Sequence, residues 1–308
     1  MIDNFTIKLY SQELAEKYLK SKGNYTQSSW IRKTENNDEK ETIYPLKKKI
    51  NNIELRVTER NSVFGNSLHK YFNINNYGET QGNQNYNDFT FCSLLEAIEQ
   101  LEVDFKGLNL NNGYLQNLEF GFNLLVDKEP KYYLNHNFLL FEHKAPTINK
   151  STNAMNYRKF EHNNLAWKVY DKKTQYGLEN NLLRIEMVLS SGELKKLGIY
   201  TLNDLKNREN ILLLYSKFLE SFKGFTIVDN RFERKDLSTE LISDLGNRLE
   251  PSYWKQKRGK NNLYRDKAKL REMIEKNNLN TTGIYFIELI KAKFNELFYD
   301  CSIVNQVA

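Results

Sequence analysis

The sequence predicts an α+β fold: an antiparallel-rich central sheet with helices packed on one of its faces, followed by a mainly helical C-terminal region. Three observations predict it. Short segments with a two-residue apolar alternation recur up to about residue 192. Beyond that point the apolar residues take helical spacing. With 40% hydrophobic and 27% charged residues, the 308-residue chain has enough apolar surface for a core and is not a disordered composition. The expected organisation is a sheet-bearing domain over 1–192 and a helical region over 193–308, with no internal repeat and no low-complexity linker.

Taken in order, Phe5, Ile7 and Leu9 share one face of an opening strand. Residues 11 to 20 read as a short helix beginning at Ser11. The polar stretch Ser21 to Glu41 reads as a mobile loop. Ile53 to Thr58 reads as a strand, and Asn61 to Asn66 as a turn in which Gly65 is free to take positive φ. Asn73 to Asn87, rich in Asn and Gly, reads as a loop. Asp88 to Leu101 reads as a helix capped by Asp88 or Thr90, with Leu94, Leu95, Ile98 and Leu101 on one side. Three strands follow: Leu118 to Val126, Leu165 to Tyr170, and Leu183 to Leu189. Helical spacing covers Glu193 to Leu197, Glu209 to Phe222, Ser238 to Glu250, Asn261 to Lys276 and Thr282 to Phe298. Asp204, Ser238 and Thr282 are candidate caps near these starts.

A net charge of +6 permits a polyanionic partner without demanding one. The two cysteines, Cys92 and Cys301, have neither the spacing of a zinc site nor that of a disulfide framework. Met1 to Phe5 lacks the basic start and apolar stretch of a signal peptide, and no apolar run approaches the ~20 residues needed to span a bilayer. No membrane partner is expected, and a cytoplasmic location in a bacterial cell is. The chain has no Gly-rich phosphate loop followed by Lys-Ser/Thr, no His-x-Glu with Cys-x-x-Cys, and no Gly-x-Ser-x-Gly. Nucleotide-driven motors, zinc deaminases and serine hydrolases are thereby disfavoured.

Four side chains leave the non-core faces of the three central strands: Glu119, Tyr170, Arg184 and Glu186. If those strands are neighbours, two carboxylates, a phenol and a guanidinium converge. Paired carboxylates suit Mg²⁺ or Mn²⁺, hard cations that prefer oxygen ligands. Such a metal polarises a phosphate, and a tyrosine hydroxyl can attack phosphorus when a nearby cation or base activates it. Lys168 and Lys173 are the candidate cations. His143, between Glu142 and Lys144, is a candidate further metal ligand. Each residue also has a plainer reading. Glu119 and Glu186 fit a solvated strand face, Arg184 and Glu186 fit a structural ion pair, His143 fits a loop, and Tyr170 is one of 19 tyrosines.

Several blocks, in order, resemble the gene II replication initiators of filamentous phages and the related phage/plasmid replication proteins of Bacteroidetes. They are Met1-Ile2-Asp3, Asn61 to Asn66 leading to Phe91-Cys92-Ser93-Leu94-Leu95, Asn117 to Phe122, Trp167 to Lys173, and Leu183-Arg184-Ile185-Glu186 with Leu194 to Ile199. The resemblance covers about residues 1 to 210. It implies a degenerate relative of the HUH endonucleases, a rolling-circle initiator that nicks one DNA strand at an origin. Tyr170 matches the nucleophile, which keeps the 5′ phosphate and frees a 3′ hydroxyl; Glu119, Glu186 and Arg184 match recurring acidic and basic positions. Origin DNA, single-stranded or hairpin, is the implied partner, with a host helicase as a further candidate. Two departures stand out. Asn117-Leu118-Glu119 replaces an Arg-x-Asp pattern, and no two-histidine motif is present. The Tyr170-to-Lys173 spacing is that of a Y-x-x-K motif that usually lies on a helix, whereas the local pattern here is a strand.

Lys168 and Lys172 beside the tyrosine, and the run Lys255, Lys257, Arg258 and Lys260 flanked by Tyr253, Trp254 and Tyr264, are candidate DNA contacts. An ordinary basic loop between helices reads equally well for the run. The last two helices fit either a helix-turn-helix-like pair or a scaffold. Two other function classes stay open: an initiator that opens an origin without cutting it, and a metal-dependent nuclease that uses water.

Overall fold

The structure, a computed structural model, describes residues 1–23, 25–34, 41–147, 156–230, 234–257 and 262–300. It is a mixed α+β protein, as the sequence predicts. The strands are β1 (Ile2–Leu9), β2 (Thr26–Thr34), β3 (Glu41–Ile50), β4 (Ile53–Val57), β5 (Ser62–Ser67), β6 (Gly113–Leu125), β7 (Phe138–Phe141), β8 (Tyr157–His162), β9 (Leu165–Asp171), β10 (Leu182–Ser190) and β11 (Phe225–Ile227). The helices are α1 (Gln12–Lys22), α2 (Leu68–Gly82), α3 (Phe91–Asp104), α4 (Pro130–His136), α5 (Lys172–Tyr176), α6 (Ser191–Lys196), α7 (Arg208–Phe222), α8 (Thr239–Leu249), α9 (Pro251–Lys257), α10 (Leu263–Lys276) and α11 (Thr281–Tyr299). A nine-stranded sheet has the order β2-β3-β4-β5-β1-β6-β10-β9-β8, and β7 pairs with β11 in a small second sheet. The pairings β2–β3, β3–β4, β4–β5, β5–β1, β1–β6 and β8–β9 are all antiparallel. No helix among the described residues is long and apolar enough to cross a membrane.

The chain forms two compact units. One comprises Met1–Gly121, Val188–Tyr215 and the stretch from Asn295; the other comprises Phe122–Met187 and Ser216–Phe294. Strands β6 and β10 run through both. In the first unit, alternation buries Phe5, Ile7 and Leu9 of β1 with Phe64 of β5. Helix α3 presents Leu94, Ile98 and Leu101 to this core, and Phe105 beyond its end meets Phe64 edge-on at 4.8 Å. In the second unit, Trp167 of β9 is fully buried among Phe218, Phe222 and Phe225. A second apolar cluster there joins Leu245 and Leu249 of α8, Trp254 of α9, and Leu270 and Met273 of α10. Arg248 is buried beside it and is neutralised by Asp244 and Asp266, each at 3.0 Å.

Several local expectations are corrected. Thr26–Thr34, placed in a mobile loop, is an edge strand; an edge strand gains its stability from the ladder to one neighbour and needs little apolar content. Residues 35–40 of that expected loop lie outside the described residues. The turn expected at Asn61 to Asn66 is mostly strand β5, paired on both sides by β4 and β1. Gly65 is required there by close approach, since a Cβ would lie 2.1 Å from the Phe5 carbonyl oxygen. Helix α2 replaces most of the loop expected at Asn73 to Asn87. Burial of Leu68, Tyr71 and Phe72 outweighs the poor helix propensity of its asparagines. Thr90, rather than Asp88, caps α3 by accepting from the Ser93 N–H at 3.1 Å. The carboxylate of Asp229, not Thr282, caps α11 by accepting from the backbone of Thr281 and Thr282 at 3.2 and 2.9 Å. Asp204 accepts from the Tyr200 and Thr201 N–H groups and thus tightens the turn before α7 instead of capping that helix. Cys92 is disulfide-bonded, against the expectation from cysteine spacing.

Candidate metal centre

Consecutive strands β1, β6 and β10 each supply one carboxylate to a common point. Asp3, Glu119 and Glu186 each offer a ligand oxygen, and these atoms lie within 4.8 Å of one another. Asp3 and Glu186 are each 1% exposed and Glu119 is partly buried. A local irregularity of β1 brings Asp3 in. Ile2 pairs with Phe120 and Phe5 with Leu118, so Asp3 and Asn4 together oppose Glu119. This is a β-bulge, two residues against one, which breaks the alternation and re-aims a side chain. Without it Asp3 would share the face of Phe5, Ile7 and Leu9.

Taking carboxylates out of water costs several kcal/mol each unless they are hydrogen-bonded and neutralised. Each is held. Asp3 accepts from the Ser67 hydroxyl and from Asn85 Nδ2, the latter at 2.5 Å. Glu119 accepts from Asn4 Nδ2 at 2.7 Å. Glu186 accepts from Arg184 Nε, and Arg184, 2% exposed, also donates to Asn123 Oδ1 at 2.8 Å. Lys168 Nζ stands 4.0 Å from the other oxygen of Glu186. A solvated strand face is therefore excluded for Glu186 and Arg184. Three hard oxygen donors could hold a metal ion, whose positive charge would turn their mutual repulsion into attraction.

Tyr170 lies on β9, the neighbour of β10, two residues beyond Lys168 and hence on the same face of that strand. Its ring is 5.9 Å from that of Tyr157, the residue opposite on β8. Helix α5 begins immediately afterwards. Asp171 caps it by accepting from the Thr174 N–H at 2.9 Å, and Gly177, at φ 65°, ends it in the left-handed conformation. This single turn places two lysines differently. Lys172 is 0% exposed, with its ammonium 5.0 Å from the Tyr170 ring centroid and 4.9 Å from that of Tyr176. Lys173 points to Glu129 at 2.6 Å and Asn181 at 3.0 Å. The strand reading holds for Tyr170, and the helix of the Y-x-x-K spacing starts only after it.

The structure thus brings together Glu119, Glu186, Arg184 and Lys168, with Tyr170 and Lys172 on the adjoining strand and turn. His143 is not one of the clustered metal-ligand candidates; its ring lies 4.2 Å from that of Trp254. Lys255 is exposed on α9, and Lys257 pairs with Asp266 at 3.0 Å. Arg258 and Lys260 lie outside the described residues. Sequence reasoning missed Asp3, Asn4, Ser67, Asn85 and Asn123. One signal was available: a charged residue on the apolar parity of an alternating strand requires either a bulge or a buried carboxylate with partners. No family model, no curated protein and no solved structure matches this chain.

Proposed function

We propose that the protein is a divalent-cation-dependent DNA-nicking enzyme that initiates rolling-circle replication, with Tyr170 as nucleophile. The observation that carries this reading is the convergence of Asp3, Glu119 and Glu186 with Arg184 on the β1, β6 and β10 strands, with Tyr170 on the like face of the next strand. In this reading the three carboxylates would hold Mg²⁺ or Mn²⁺, and such an ion would supply positive charge beside the phosphate under attack. Tyr170 Oη forms a bond to phosphorus as the bond from phosphorus to the 3′ oxygen breaks. The phenol gives up its proton and the departing 3′ oxygen takes one up. A 5′-phosphotyrosine and a free 3′ hydroxyl result. Lys172, buried against the Tyr170 ring, supplies the positive charge that a phenolate needs, and Lys168 bridges the tyrosine face to Glu186.

The test is incubation with single-stranded and hairpin origin DNA in Mg²⁺ or Mn²⁺, followed by a search for a protein–DNA adduct that survives SDS. The adduct is expected from the parent protein and absent from Tyr170→Phe, with cleavage also lost in Glu186→Gln. An adduct that persists in Tyr170→Phe transfers the role to Tyr157 or Tyr176. Cleavage without an adduct identifies water as the nucleophile. Binding without cleavage leaves an origin-opening initiator.

A further inference from the structure

A cavity of about 390 Å³ lies within the second unit, bordered by β11, α10 and α11. That volume falls in the range of small-molecule sites, which are apolar clefts with a few placed polar groups. One wall is aliphatic: Ile227, Leu270, Ile274, Ile284 and Ile287. Lys267 and Arg271, one turn apart on α10, line it with His143. Neither cation has an ion pair among the described residues. Glu142 and Glu275 also line the cavity, yet the field at His143 is positive. Burial, then Lys267, then Arg271 push its imidazole down to about 4, and neither acid counters them. The ring is therefore neutral at physiological pH. Its Nδ1 is sealed and has no hydrogen-bond partner. A buried N–H with no acceptor costs more than a bare lone pair, so the proton belongs on Nε2. The imidazole thus offers a donor next to two cations.

Gly283 supplies a second, independent observation. It sits in the first turn of α11 and lines the same cavity, and a Cβ there would meet only Ile227 Cβ at 3.9 Å. Packing around a Cβ therefore does not impose glycine here, and glycine leaves this part of the lining open at some cost in helix propensity.

We propose that this cavity binds a small amphipathic carboxylate, its anionic head held by Lys267, Arg271 and His143 and its aliphatic body lying along Ile284 and Ile287. A mononucleotide fits the lining less well. Its ribose and base would have to lie along the five aliphatic side chains of that wall, where Thr226, Asn280 and the two acids offer the hydrogen bonds, whereas an alkyl chain needs none.

The experiment is calorimetric titration of the full chain with decanoate, decanol and adenosine 5′-monophosphate, each below its aggregation limit, joined to NMR titration of the His143 ring. Decanoate is expected to bind at one site, at least about tenfold more tightly than decanol, because two charge-assisted contacts are lost with the head group. It should raise the pH midpoint of His143. Lys267→Met and Arg271→Met, both at solvent-accessible positions, should each weaken decanoate about tenfold and leave decanol unchanged. Gly283→Leu should abolish binding in a protein whose circular dichroism is unaltered. The proposal is overturned if decanoate does not bind, if decanol binds as tightly, if the nucleotide is preferred, or if Gly283→Leu binds like the parent. DNA nicking plays no part in any of these readouts.

Discussion

Replacing Asp3 with Asn separates a metal-binding cluster from a merely structural one, because the two predict opposite signs in different conditions. The three ligand oxygens lie within 4.8 Å of one another. At that distance two like unit charges repel by roughly 3.5 kcal/mol at an effective dielectric of about 20. Asp3 takes part in two such repulsions, roughly 7 kcal/mol together. Against these stand its bonds from Ser67 and Asn85, worth about 1.5–3 kcal/mol each to a charged acceptor. Metal-free Asp3→Asn should therefore unfold at or slightly above the temperature of the parent. With Mn²⁺ at 100 times its Kd, the parent gains about 2.7 kcal/mol. For a chain of this size that is a rise in Tm of about 5 °C, and Asp3→Asn should lose most of it. Differential scanning fluorimetry in EDTA and in Mn²⁺ reads both. An undiminished metal-induced rise in the variant would refute the ligand assignment. A metal-free variant that melts far below the parent would show that Asp3 serves the fold alone.

Two further outcomes are expected. The His143 imidazole stays neutral in the folded protein down to about pH 4, whereas an unfolded chain takes up that proton near pH 6.5. Its contribution is thus fully present above pH 6.5 and is lost as pH falls toward 4, about 1–2 kcal/mol after allowance for solvent at the partly exposed ring. Urea titrations at pH 7 and pH 4.5 should show a smaller loss of stability in His143→Gln than in the parent; equal losses would contradict the assignment. Asp229→Ala removes the cap of α11 and should cost about 1–2 kcal/mol in equilibrium denaturation, while Thr282→Ala, at the residue first expected to cap, should cost less.

Strands β6, β9 and β10 were legible because apolar residues recur at every second position, although β10 proves to be buried on both faces. Glu119, Tyr170, Arg184 and Glu186 could be named for that reason, and their segregation from the apolar face is what the structure contains. Asp3 was not legible as a partner. Its place depends on a bulge, and a bulge is a property of two strands' register, here residues 2–5 against 118–120, which no single segment encodes. Helix α2 was hidden for a related reason. Its asparagines argue for a loop, and only the long-range burial of Tyr71 and Phe72 overrules them. The same holds for Asp229, whose capping of a helix some fifty residues later is a tertiary contact.

The position of β1 in the sheet has a consequence for the order in which the protein is assembled. The first strand of the chain lies between β5 and β6, and its Asp3 meets Glu186 only after β10 has joined. Contacts of such long sequence separation form late, since loop closure must be achieved before they contribute. A cation bound by Asp3, Glu119 and Glu186 would then act on a structure already built, so its stabilisation should appear as slower unfolding and leave the folding rate nearly unchanged. Loss of the metal would act as a release: the last part of the sheet to close becomes the first to open.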